Sequence, residues 1–336
     1  MHDTDKQQRT DRERRAAQPR RRRGHRGRYA ERPRQIPAKG WLDIGKRVIK
    51  EVGQDHVSIV AAGVAFYAFL AVFPAIAAAI SIYGLVLDPQ TAQQQFTQLA
   101  TVLPEQARGL MTDQLSQIAG ASSGALSWGL AFSVLLALWS ASKGAKALFQ
   151  GLDIVYDEES SRNFVVQNAL TLLFTIGAIV VAIIAVALIV ALPIVINLLP
   201  LPPAAQIAAR AARWVILAGT AFFGLALLYR YAPSRATPRW RWVTWGAAIA
   251  TVLWLVASWA FSFYVANFGS YNQTYGSLAA VVILLFWLFL TAFIALLGAE
   301  INEATERQTS KDSTTGPEEP MGERGATAAD NVEDSE

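Results

Sequence analysis

The chain has no cysteine and only three histidines among its 336 residues. The missing cysteines exclude disulfides, thiolate catalysis and Cys-based metal sites. His2 and His25 lie in a polar N-terminal stretch, and His56 precedes the first apolar run. The sequence also has no H-E-x-x-H, Walker or G-x-S-x-G motif. These absences predict a protein that is not an enzyme and that has no cofactor and no bound metal.

Charge is also scarce, because charged residues make up 17% of the chain where a soluble domain usually has about 25%. The charges that do occur are concentrated at the two ends, and the middle of the sequence is almost bare. Hydrophobic residues make up 53% and the mean hydropathy is +0.27. This distribution predicts a membrane protein.

Apolar windows long enough to cross a bilayer core, about 20 residues each, occur six times. They predict spans at 58–87, 125–141, 165–192, 214–231, 243–267 and 277–299. The predicted fold class is therefore all-α, a polytopic membrane bundle of six transmembrane helices. Short amphipathic helices are expected outside the spans.

Basic residues near the span ends favour one orientation, because cytoplasmic flanks carry an excess of Lys and Arg. With the N-terminus inside, the cytoplasmic flanks hold Lys46, Arg47, Lys50, Lys143, Lys146, Arg162, Arg230, Arg235, Arg239 and Arg241. The outer flanks hold Arg108, Arg210 and Arg213. Both termini are thus predicted to be cytoplasmic.

The two tails differ from the middle in composition. Residues 1–40 are basic and 306–336 are acidic, and such sequences are expected to be disordered, leaving 41–305 as the transmembrane domain. The basic tail either contacts anionic lipid or RNA, or is a solvated segment that enforces topology. We expect no specific recognition of nucleic acid.

Two stretches outside the spans are amphipathic. On the predicted outer side, apolar residues recur at helical spacing in two short runs separated by Pro104, which are Phe96, Leu99 and Leu103, then Met111, Leu115 and Ile118. They predict two short helices that lie on the membrane or cap the bundle. On the inner side, residues 143–157 have one polar and one apolar face, which predicts a helix that prolongs the second span.

Polar residues within and beside the spans have two interpretations. They are either small-residue helix interfaces with hydroxyls bonded across helices, or the lining of a wet cavity. The candidate cavity-lining residues are Tyr67, Gln167, Asn168, Thr171, Thr175, Thr251, Ser258, Ser262 and Asn272. Asn272 belongs to the uncharged loop after the fifth span, which we interpret as an outer hairpin.

Four charged residues near the membrane lie on the predicted inner side. Lys143, Lys146, Asp153 and Glu300 are therefore candidate contacts for a lipid headgroup or a substrate. Glu300 ends the last span, where a carboxylate opposes the helix dipole. We expect it to reach water and to pair with Lys143, Lys146 or Arg162. The absence of a charge at the centre of any span argues against a proton-driven antiporter.

Three stretches, taken in order, resemble the YihY/BrkB family. They are AAGVAFYAFLAVFPAIAAAISIYG at 61–84, WSASKGAKALFQGLDIVYDEESSRNF at 139–164, and YGSLAAVVILLFWLFLTAFIALLGAEIN at 275–302. The resemblance covers about residues 41–305 and implies a bacterial inner-membrane protein with six helices. That family has carried a ribonuclease BN label regarded as mistaken, and a role in moving lipid or another envelope solute has been suspected.

Three functions stay open on these observations. The first is a transporter or flippase for lipid or another envelope solute, with membrane lipids and an envelope protein as partners. The second is a non-catalytic membrane scaffold for envelope proteins. The third is a membrane-associated ribonuclease, which the shortage of histidines disfavours.

Overall fold

The computed structural model describes residues 26–86, 123–160, 162–193, 196, 202–267 and 277–332. These residues are helical apart from turns, loops and an isolated antiparallel bridge between Pro238 and Thr314. The two predicted outer amphipathic helices and the loop containing Asn272 lie outside the described residues.

Eight α-helices follow one another along the described chain. They are α1 Ala38–Gln54, α2 Val57–Val86, α3 Ser123–Val155, α4 Phe164–Val186, α5 Pro203–Tyr231, α6 Trp240–Asn267, α7 Ser277–Glu306 and α8 Thr327–Asp330. A short 3₁₀ turn, Pro33–Gln35, precedes α1, and a π-helical turn, Ala187–Ala191, continues α4. The predicted prolongation of the second span is confirmed, because α3 runs unbroken to Val155.

Five described helices are long and apolar enough to cross a membrane. Their apolar stretches are Val57–Ile76, Phe164–Ile189, Pro203–Tyr231, Trp240–Val265 and Ala279–Glu306. The remaining predicted span, 125–141, falls inside α3. Large apolar side chains on these helices are exposed, for example Ile183 and Trp259, as expected where lipid rather than protein covers them. The chain is therefore a multi-pass membrane protein.

The long helices pack in a spatial order that differs from their order along the chain. Helix α3 lies along α2, α2 along α7, α7 along α6 and α6 along α5, while α4 packs against α3. Contacts between α4 and α5, which would close this arrangement into a ring, are few among the described residues. Within the described part of the chain, α4 and α5 are thus the two ends of this order, and they make few contacts, some through the π-helical turn that continues α4.

The backbones of α6 and α7 pack closely. Gly246 and Gly298 face each other, so that a Cβ on Gly246 would lie 2.1 Å from the Gly298 carbonyl oxygen. Asn302 bonds the backbone of α6, since its Oδ1 accepts from the Gly246 N–H at 2.7 Å and its amide donates to Val243 O at 3.2 Å. Tyr229 on α5 donates its hydroxyl to Ala295 O at 2.7 Å. Small residues therefore bring the backbones of α6 and α7 together.

The described parts of both tails are folded, which corrects the prediction of disorder for them. Residues 308–332, here called the C-terminal cap, contribute buried side chains that include Thr309, Ser313, Ala328 and Ala329. Side chains of the cap bond the backbone of 26–30, as in Thr309 Oγ1 to Ala30 O at 2.7 Å. The polar composition that predicted disorder instead supplies hydrogen bonds to backbone groups.

We predict that Gly246→Ala destabilises the fold by about 1–3 kcal/mol or more, because overpacking forces backbone shifts. The new methyl group would meet the Gly298 carbonyl, which cannot move without displacing α7. The thermal unfolding midpoint of the purified protein in detergent measures the effect. Gly219→Ala on α5 is the matched control, because nothing lies within 4 Å of its added Cβ. Equal midpoints for both variants would contradict the packing.

Candidate functional site

The buried charged residues of the described bundle gather at one end, here called the charged end. It comprises α1, the turn after α3 (156–163), the loop between α5 and α6 (232–239), the last turns of α7 and the C-terminal cap. A buried polar group costs free energy unless it is hydrogen-bonded or ion-paired. The hydrogen-bond and ion-pair partners of the charged residues at this end therefore indicate which elements each residue joins.

A buried ion pair occupies the centre of the charged end. Both terminal nitrogens of Arg235 bond the Glu306 carboxylate, at 2.8 and 3.0 Å, and the two side chains are 1% and 0% exposed. The guanidinium also lies over the Tyr156 ring, 4.0 Å from its centroid, and Ser313 Oγ donates to Glu306 at 2.8 Å. Burial alone would lower the pKa of Arg235, but the Glu306 carboxylate outweighs it and raises that pKa. Arg235 is therefore charged, and its pair joins α3, α7 and the cap.

Asp153 and Arg162 hold the ends of α3, α4 and α5 together. The buried Asp153 carboxylate accepts from the Ser234 N–H at 2.7 Å and from its hydroxyl at 3.2 Å. Burial raises the pKa of Asp153, opposed by these bonds and by Arg162. Arg162 donates to the carbonyl oxygens of Tyr231, Ala232 and Pro233, which end α5 or follow it. The buried Asp153 carboxylate therefore holds the loop after α5 in place, whereas a contact with a lipid headgroup would need it at the surface.

Three carboxylates from two helices converge beside this network. Glu51 of α1 and Glu300 and Glu303 of α7 each place an oxygen within 4.8 Å of the other two. Glu300 is 0% and Glu303 1% exposed. Arg307 forms ion pairs with Glu303 and with Asp157. Two like charges at this separation repel by roughly 3.5 kcal/mol at an effective dielectric constant of about 20, so this cluster is costly unless something compensates it.

The prediction that Glu300 pairs with Lys143, Lys146 or Arg162 is wrong in the described structure. Lys143 lies over the Trp139 ring, its Nζ 5.5 Å from the centroid, and Arg162 bonds backbone carbonyls. Glu300 is also fully buried rather than in contact with water. The reason is that α7 continues past Ala299 to Glu306, so that the carboxylate falls inside the folded charged end.

The lysines predicted to contact headgroups differ in exposure. Lys143 is exposed and Lys146 half-buried, three residues apart on the part of α3 near the charged end. Gly144 between them faces α2, where an added Cβ would lie 3.6 Å from the Cβ of Tyr67. Lys143 therefore remains accessible to an anionic group, and contact with a headgroup stays a prediction.

The candidate cavity-lining residues are not gathered into one described site. Thr171, Thr175 and Thr251 are buried, and each donates its hydroxyl to the carbonyl four residues earlier in its own helix. The remaining described candidates vary in exposure: Tyr67, Asn168 and Ser262 are exposed, whereas Gln167 and Ser258 are half-buried. The bonded threonines fit helix packing, and a wet cavity stays a prediction.

Several central residues of the charged end were not identified from the sequence. Arg235 was assigned only to a basic flank, and Glu51, Glu303 and Glu306 were assigned no role. Glu300, Glu303 and Arg307 are spaced i, i+3 and i+7, the pattern of one helix face. From that spacing, the last helix could have been predicted to continue beyond its apolar window. The same spacing indicates that these charges lie on one face of the helix.

The fold and the charged end define an α-helical, multi-pass membrane protein with a folded polar end. Comparison with known proteins assigns it more narrowly. The family model described as Virulence factor BrkB matches residues 48–322, and the chain belongs to that family. This match includes most of the C-terminal cap as well as the long helices.

Relatives of the chain have names that describe them only in general terms. The putative ribonuclease-like protein YfkH of Bacillus subtilis is 27% identical over 249 residues, which cover 72% of this chain and 87% of YfkH. A UPF0761 membrane protein of Tolumonas auensis is 42% identical over 77 residues, 23% of this chain and 25% of its own. One of Xanthomonas campestris is 40% identical over 80 residues, 24% and 19% of the two chains. No solved structure matches the chain.

We predict that Glu306→Gln lowers the free energy of unfolding by about 3–5 kcal/mol, because it leaves the Arg235 guanidinium buried without its counter-charge. Thermal unfolding in detergent measures the loss. Glu318→Gln, at an exposed position of the cap, serves as the control and should leave the midpoint unchanged.

The double variant Arg235→Met with Glu306→Leu tests the same prediction by removing both charges of the pair together. Replacing both charges by apolar groups of similar size costs less than removing one. The double variant should therefore be more stable than Glu306→Gln. A Glu306→Gln protein that unfolds with the wild type would contradict the role of the pair.

Proposed function

We propose that this protein moves phospholipid across or out of the bacterial inner membrane, with its charged end in the cytoplasm. The proposal rests on the scarcity of contacts between α4 and α5 on one side of the bundle. Among the described residues, Arg162, which precedes α4, bonds the carbonyl oxygens at the end of α5. Contacts between α4 and α5 are few, and some of them are made through the π-helical turn that continues α4. A lipid tail could enter such an opening directly from the bilayer.

The half of α4 remote from the charged end supports this proposal. No residue from Ile176 to Ala185 is buried by the described chain, and Ile183 is 63% exposed. Helix α4 instead holds the bundle through its other half, where Phe174 packs against Phe149 of α3 with ring centroids 5.3 Å apart. One half of α4 is anchored, and the other offers apolar surface over most of its circumference.

The α4 side of this opening favours an acyl chain over a hydrophilic solute. Exposed residues of α4 in this half are Ile, Val, Ala and Gly, and the threonines Thr171 and Thr175 point into the protein. A path for an ion or a sugar would need polar groups along its length. An apolar opening instead lets a lipid tail stay in hydrocarbon while its headgroup moves.

The headgroup is proposed to meet Lys143 and Lys146 near the charged end. An ammonium group is a suitable partner for a phosphate, and Lys143 is exposed. Residues 1–25 carry further basic residues, which are proposed to lie near anionic lipid. An envelope protein that accepts the lipid would be the partner on the opposite side.

We predict that the full chain in liposomes accelerates the movement of a fluorescent phospholipid between leaflets, measured by chemical quenching of the outer leaflet. The variant Lys143→Ala with Lys146→Ala should slow it at least tenfold, about 1.4 kcal/mol of lost headgroup interaction. The control Lys50→Ala removes an exposed lysine from α1 and should leave the rate unchanged.

The outcomes separate the candidate functions. Liposomes whose lipid moves no faster with the protein than without it would reject the proposal. If the same protein then cross-links an envelope protein, the scaffold function is favoured. If movement is intact in the double lysine variant, the opening is supported but the headgroup site is rejected.

We predict that reporter fusions placed in 232–239 report a cytoplasmic location, because basic residues near span ends remain inside. Arg235 and Arg239 lie in that loop. A fusion after 332 should give the same result, since the cap bonds this loop through Arg239 N to Ser313 O at 2.8 Å. A periplasmic signal from either position would overturn the proposed orientation.

A further inference from the structure

We infer that Glu51, Glu300 and Glu303 form a binding site for one divalent metal cation of the oxygen-preferring class, such as Ca²⁺, Mg²⁺ or Mn²⁺. The site lies at the charged end, between α1 and the last turns of α7. It is separate from the opening between α4 and α5, and the inference does not depend on lipid movement.

The spacing of the three carboxylates fits such an ion. One oxygen from each residue lies within 4.8 Å of the other two. Calcium binds carboxylate oxygens at about 2.3–2.6 Å, so two ligands on opposite sides of it are separated by about twice that distance. Three oxygens within this limit can therefore share one ion, and Mg²⁺ or Mn²⁺ needs only a small inward movement.

An independent observation comes from Glu300 itself. Its residue is 0% exposed, and both of its carboxylate oxygens lack a hydrogen-bond donor among the described residues. A carboxylate that has left water normally accepts hydrogen bonds or pairs with a cation. Glu300 instead has a carboxylate oxygen within 4.8 Å of those of Glu51 and Glu303, an arrangement that a metal ion explains.

Among the described residues, Arg307 offsets part of this negative charge. The Arg307 guanidinium forms ion pairs with Glu303 and with Asp157, so it is shared between the cluster and the turn after α3. Asp55, at the end of α1, adds a fourth carboxyl group close to Glu300. A divalent cation would balance the excess, and carboxylates without histidine or cysteine select hard metals.

The ion would fasten α1 to α7. These helices already meet through Ile44, Val48 and Ala304, and Arg47 donates to Ala304 O at 2.9 Å. Helix α1 lies outside the spans and supplies Glu51, whereas Glu300 and Glu303 belong to α7. Binding would thus make the attachment of the amphipathic α1 to the bundle dependent on the metal.

The test is calorimetric titration of the chelator-treated full-length protein in detergent with Ca²⁺, Mg²⁺ and Mn²⁺ separately. The expected result is saturable binding of one ion per chain, with a rise of about 5 °C in the unfolding midpoint when the ion is present at about 100 times its Kd. Glu300→Gln should weaken binding at least tenfold, because it removes a charged ligand. The control Glu159→Gln changes an exposed carboxylate in the turn after α3 and should bind as the wild type does.

A second variant covers the case in which Glu300→Gln does not fold. Glu51→Gln alters a half-buried residue of α1 and should also weaken binding at least tenfold. The inference is overturned if none of the three metals binds up to about 10 mM, well above the weak limit of protein calcium sites. It is likewise overturned if neither variant changes the affinity. A third overturning result is that acidification alone stabilises the wild type while metals do not, because protons then neutralise the cluster.

Discussion

The bidentate pair between Arg235 and Glu306 is the interaction on which the charged end depends. Neither side chain reaches solvent, so each charge is tolerated only because the other is present. Around this pair, Tyr156 supplies an aromatic face and Ser313 a donor, which brings α3 and the C-terminal cap to the same point. A region rich in charge can thereby pack like a protein interior, because its polar groups bond one another and the backbone.

Two kinds of surface result from this arrangement. At the charged end, helix ends and loops are joined by side chains that reach across the chain, as Arg162 does to the carbonyls that follow α5. Toward the other end, α4 exposes apolar side chains over most of its circumference, and the π-helical turn that continues it meets α5. Hydrogen bonds and ion pairs therefore join the elements at the charged end, whereas apolar surface dominates the other half of α4.

The apolar windows of the sequence predicted the long helices well, because a bilayer span needs a continuous apolar stretch that few other structures require. The helix ends were predicted less well. Helix α5 starts at Pro203 rather than at 214, and α7 continues to Glu306 rather than ending at Ala299, because charges in these segments were interpreted as boundaries. The cap was missed for a related reason, since composition does not reveal that Thr309 will bond Ala30 O. The partners of Glu300 depend on long-range packing, which helical periodicity within one segment does not report.

The position of Glu306 along the chain also affects how the protein is made. Arg235 is synthesised 71 residues before the carboxylate that neutralises it, and the cap that covers both follows later still. During translation the loop at 232–239 must therefore remain hydrated or be held by another protein, since a lone guanidinium cannot enter a dry interior. Assembly of the charged end is consequently a late event, and a ribosome that stalls before 306 leaves a chain whose apolar stretches have been made but whose charged end cannot close.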